Sequence, residues 1–154
     1  MIQEIPPTDV AETAAQRWKL DDVITLCRDS SLTFRAAATL ASSHRDELMA
    51  LSRRRSSFAR RLTEFARDPD DANETGSIGG RTRRWLLGAR ARMLGQTHLG
   101  DSLAACLRAE SAAMRSYSRA LAIDWNGDIA AVLEEQLDEV VVTETRIRDI
   151  RGHL

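Results

Sequence analysis

The sequence predicts an all-α protein, a four-helix bundle with one long crossover between its second and third helices. Three observations carry this reading. Four segments repeat apolar residues at alternating steps of three and four, the spacing that gathers side chains on one face of a helix. No segment of comparable length alternates with the period of two that a strand requires. The gaps between the four segments run short, long, short. The 154-residue chain, with 43% hydrophobic and 29% charged residues and only three prolines, is long enough to bury a proper core without disulfide or metal staples.

The first segment places Leu20, Ile24, Cys27, Ser31, Phe34 and Ala38 on one stripe, and the second places Leu48, Leu51, Arg55, Phe58, Leu62 and Phe65 there. The link around Ser42-Ser43-His44 is short, which makes these two helices an antiparallel hairpin. The third stripe reads Leu99, Leu103, Cys106, Glu110, Ala113 and Tyr117. The fourth reads Ile129, Leu133, Gln136, Val140, Thr143, Ile147 and Ile150. Their link, Asp124-Trp125-Asn126-Gly127, carries turn chemistry, and Asn126 or Asp128 can cap the last helix. These two form the second hairpin.

Between the hairpins, Pro69 should stop the second helix, and the glycine-bearing stretch Thr75 to Gly80 follows. Arg81 to Leu94 then reads as a short helix with Trp85, Leu86, Ala89 and Met93 on one side. Hairpin, long crossover, hairpin is ferritin-like connectivity. Residues 1–19 form an N-terminal arm or short helix, with Asp9 and Glu12 as a variant capping box, and residues 20–154 form the bundle domain. That arm is free to run straight into the first bundle helix. Trp18, Trp85 and Trp125 read as packing anchors at the bundle ends.

Charge and cysteine content exclude several function classes. A net charge of -1 offers no global basic field for nucleic acid or an anionic membrane. Met1 to Pro7 lacks a basic stretch followed by an apolar run, and no apolar segment is long enough to span a bilayer. Export and membrane insertion are therefore not expected. Cys27 and Cys106 are too few and too far apart for a disulfide framework or zinc site, so a cytoplasmic, reducing setting is the simplest one.

With the pattern laid out, the chain resembles a bacterial family of ferritin-like helical proteins known as domain of unknown function 2383, over residues 20–151. The carriers are Leu20-Asp21-Asp22-Val23-Ile24, Asp29 and Phe34, then Arg55 and Phe58, then Gly79, Arg83 and Trp85. Cys106, Glu110 and Tyr117 follow in the third helix, and Gln136, Val140 and Ile147 in the fourth. The resemblance implies a ferritin-like fold and brings no agreed activity. The chain departs from the family where Glu144 replaces a frequent His and where Leu32 and Ala50 each replace a frequent Glu. Those departures remove ligands that a metal site would use.

No catalytic motif is present, and the sequence calls for no cofactor. A dinuclear metal site in such a bundle needs a Glu from each of two helices and Glu-x-x-His from the other two. The chain contains no Glu-x-x-His, and His44, His98 and His153 fall at a loop, a helix start and the tail. Ser31, Arg55, Glu110 and Val140 instead sit near the midpoints of their helices. This predicts a central polar layer in which Arg55 pairs with Glu110, either alone or with Glu144 from the stripe's edge as well, while Ser31, Tyr117, Gln136 and Glu144 are placed to supply further hydrogen bonds. Such a layer fixes helix register; the rival reading is metal or small-ligand binding through Glu110 and Glu144.

Arg81, Arg83, Arg84, Arg90 and Arg92 give the crossover a basic face suited to phosphate or an acidic partner. No groove-reading motif accompanies it and Trp85 is its only aromatic residue, so nucleic acid is not expected. A solvated face that balances Glu134, Glu135, Asp138 and Glu139 is the simpler reading. The same complementarity works between chains, which makes a homodimer or higher homo-oligomer the expected partner arrangement. The best overall reading is a non-enzymatic bundle that acts through protein contacts.

Overall fold

The apolar stripes become four helices in the structure, a computed structural model that describes residues 13–66 and 98–154. They are α1 (Ala14–Leu40), α2 (Arg45–Ala66), α3 (Leu99–Leu121) and α4 (Ile129–Gly152), and no strand occurs among the described residues. Each stripe lies inward. All six stripe residues of α1 and all seven of α4 are buried, and only Leu51 of α2 and Leu99 of α3 are half-buried. Each fully buried Leu, Ile or Phe contributes about 1.5–3 kcal/mol of transfer free energy, which is what holds the helices together.

The ends of the helices are set by local chemistry. Thr13 caps α1: its hydroxyl accepts from the Gln16 backbone N–H while the Gln16 side chain accepts from the Thr13 N–H, a reciprocal capping box. Residues 14–19 thus belong to α1, and the Asp9 and Glu12 box lies outside the described residues. Between α1 and α2, Arg45 reaches back to donate to the Ala38 carbonyl, one of the free acceptors at the end of α1. Asp46 and Glu47 place negative charge in the first turn of α2, where the helix dipole favours it. In the α3–α4 link Gly127 adopts φ 62°, a left-handed conformation that glycine takes without a Cβ clash. Asp128 holds the N-cap position of α4 but makes no side-chain capping bond.

Two core clusters fix the directions. One joins Leu20 and Val23 of α1, Leu62 and Phe65 of α2, Tyr117 and Ala120 of α3, and Ile129 and Leu133 of α4. The other joins Phe34 and Ala38, Leu48, Leu103 and Cys106, and Ile147 and Ile150. Helix α1 is therefore antiparallel to α2 and α3, α4 is antiparallel to α3, and α2 and α3 run the same way. Close packing joins α1 to α2, α1 to α3 and α3 to α4, leaving α2 and α3 on one diagonal of the bundle. The short helix expected over 81–94 lies outside the described residues.

The tryptophans do not share one role. Trp125 packs against the first cluster and donates its indole N–H to the Ala120 carbonyl at 2.8 Å, as an anchor should. Trp18 is instead 56% exposed, because it lies two residues, about 200° of helical turn, from the buried Leu20 and so falls on the outer face of α1. Trp85 lies outside the described residues.

Candidate functional site

The bundle midline holds a charge pair. Arg55 of α2 reaches across the diagonal to Glu110 of α3, its Nε donating to Oε1 at 3.0 Å and its Nη2 to Oε2 at 2.7 Å. Both side chains are 0% exposed. The guanidinium lies 5.0 Å from the Phe58 ring centroid and 6.0 Å from that of Phe34, so aromatic faces take the place of part of its hydration. Burial pulls against the charge of Arg55, but the bonds and field of Glu110 prevail and its pKa stays above the ordinary value. Arg55 is thus a permanent cation, and its Nη1 is buried without a hydrogen-bond partner.

The remaining polar residues form separate clusters around this pair. The Ser31 hydroxyl bonds across the α1–α2 contact to the Ser52 carbonyl at 2.8 Å and to the hydroxyls of Ser52 and Ser56, and Ser52 Oγ donates back to the Ser31 carbonyl. Tyr117 donates its hydroxyl proton to Gln136 Oε1 at 2.6 Å, tying α3 to α4. That proton being committed, the Cys27 thiol donates to the phenol oxygen from 3.1 Å and brings α1 in as the third helix. Burial pushes the Cys27 thiol up to about 11, and it raises Cys106 and Tyr117 above their ordinary values as well. Both thiols are protonated at neutral pH. Cys27 bonds Tyr117, eleven residues and thus about 16 Å along α3 from Cys106, so the two do not form a redox pair.

Glu144 is not in the layer. It bonds Arg148 one turn on in the same helix, Arg148 Nε reaching Glu144 Oε1 at 2.7 Å, because an i, i+4 partner is nearer than anything across the core. Arg55 therefore meets one carboxylate rather than two. The basic face of Arg81, Arg83, Arg84, Arg90 and Arg92 lies outside the described residues. Sequence reasoning missed the part played by Ser52, Ser56 and Cys27. It also missed two ion pairs that bridge α2 and α4, Arg54 with Glu139 and Arg146 with Glu47. The signal for those was present: Glu47 and Arg54 are seven residues apart, as are Glu139 and Arg146, in the same acid-then-base order, which sets opposite charges face to face on antiparallel helices.

The donor set does not suit a dinuclear metal centre. Both oxygens of the inward Glu110 are taken by a guanidinium, which holds a positive charge where cations would sit, and Glu144 is engaged on the α4 surface. Among the described residues no three His, Cys, Asp or Glu side chains gather as a ligand group. None of their helices is long and apolar enough to cross a membrane. No protein-family model matches the chain, and no curated protein or solved structure matches it either.

Proposed function

We propose that this chain is a non-enzymatic helical bundle of ferritin-like connectivity, in which an internal salt bridge stands in place of a metal centre and the outer surfaces act through contacts with protein. One observation carries the reading: the inward carboxylate at the midline is neutralised bidentately by an arginine of the same chain. A side-chain cation fixed there does the electrostatic work of a bound ion, without its chemistry. The connectivity is supported by α2 and α3 running the same way, which a long crossover permits and a short link does not. Two buried, unpaired thiols agree with a reducing cytoplasm. Membership of the domain of unknown function 2383 family is part of this reading, on Leu20, Phe34, Arg55, Phe58, Glu110 and Tyr117.

Metal analysis of protein purified without chelator tests it. The expected result is no stoichiometric metal, with unchanged thermal stability after chelation. Stoichiometric iron, manganese or zinc that is lost in a Glu110→Gln variant would establish the rival reading, metal binding through Glu110.

A further inference from the structure

The α2–α4 seam presents a face whose two halves complement each other. Val142 is 70% exposed, more than any other large hydrophobic side chain among the described residues. Arg61, Glu135 and Asp138 are exposed beside the seam, as is Ala50. At 3.6 residues per turn, Ala50 and Arg61 on α2 and Glu135, Asp138 and Val142 on α4 all fall on the solvent side of the two bridging ion pairs.

The ion pairs also give the register. Glu47 meets Arg146 and Arg54 meets Glu139, so seven residues forward on α2 correspond to seven back on α4. On that scale Ala50 is level with Val142 to within one residue, Arg61 is within a turn of Glu135, and Arg54 adjoins Asp138. Within one chain these residues lie side by side. A two-fold axis parallel to the helices keeps every level and exchanges the sides, so that α2 of one copy lies on α4 of the other. Val142 then meets Ala50, whose single methyl leaves room for it; Glu135 meets Arg61; and Asp138 meets Arg54. A two-fold axis across the helices would instead set α2 on α2, with Arg54 and Arg61 facing a second basic helix.

We propose that the α2–α4 face binds a second copy of this chain about a two-fold axis parallel to the helices, with Val142 seated on Ala50 and the acidic residues of α4 on the arginines of α2. Such a contact is isologous, each pairing occurring twice, so one charge reversal breaks two bridges. It rests on the reading that the protein acts through protein contacts. The two fail separately: stoichiometric metal would overturn that reading and leave the dimer standing, whereas a monomer would overturn only the dimer.

Sedimentation equilibrium of the full chain, at low and high salt, tests the proposal. The wild type is expected to dimerise, less tightly as salt rises. Val142→Arg should weaken the dimer by about tenfold or more. Arg61→Glu and Glu135→Arg should each weaken it. Mixing the two single variants should restore it as a heterodimer, since the opposite charges then meet only between chains, a rescue that a change in the folding of either variant would not give. A monomer at every concentration, a dimer indifferent to Val142→Arg, or charge reversals without rescue would overturn the proposal.

Discussion

Arg54 and Arg55 are neighbours in the chain, and each grips a glutamate through Nε and Nη2. Each also lies 5.0 Å from the centroid of the Phe58 ring. They differ in where the helix turns them. The Arg54–Glu139 pair lies at the surface with 50% and 36% of its side chains exposed, while Arg55–Glu110 is at 0% and 0%. Water screens the first pair and competes for it, so its contribution is small. The second has no such alternative: if one partner is lost, the other is left as a bare charge in an apolar core. Equal geometry therefore carries unequal consequence, and the difference is burial.

The largest test of this contrast is Glu110→Gln, which keeps the shape and removes the charge. It should cost about 3–5 kcal/mol, read from urea unfolding. Replacing both partners, Arg55→Met with Glu110→Leu, should cost much less than that single change, because neither charge is stranded. A double variant as unstable as the single one would mean that the pair stabilises the bundle by attraction. Next in size is Tyr117→Phe, which strands Gln136 Oε1 and removes the oxygen that Cys27 donates to. It should lower stability by about 1–3 kcal/mol.

Arg54→Ala should cost less than about 1 kcal/mol, and a loss as large as that of Glu110→Gln would erase the distinction. The smallest effect is on pH. Arg146 and Arg54 hold Glu47 and Glu139 below the ordinary carboxylate value of 4.5. Their contribution is therefore full above that value and is lost as pH falls through the lower folded values. Melting temperature should drop on acidification by a little more in the wild type than in an Arg54→Ala, Arg146→Ala variant.

Much of this was legible in the sequence because helical periodicity is a strong signal. Arg55 and Glu110 are the charged residues on stripes otherwise filled by uncharged side chains, and two opposite charges at one level have little choice but to meet. Glu144 was misplaced for the complementary reason: at the edge of a stripe a local partner, Arg148, wins over a distant one. The Ser31–Ser52 and Cys27–Tyr117 contacts depend on which helix is whose neighbour, and periodicity within single helices does not say. Trp18 has the residue type of an anchor, but it lies off the apolar stripe of α1, and the turn of the helix decides its exposure.

The diagonal bridge also acts against error. Arg55 belongs to the first hairpin and Glu110 to the second, and the helices that carry them run in the same direction. If one hairpin docked a heptad out of place, Arg55 would meet Leu103 or Tyr117 instead, and Glu110 would confront Leu48 or Leu62. Apolar surfaces would tolerate that slip, since leucine packs on leucine at many offsets. Two unmatched charges would not, so misassembly is rejected electrostatically even where its hydrophobic contacts are adequate.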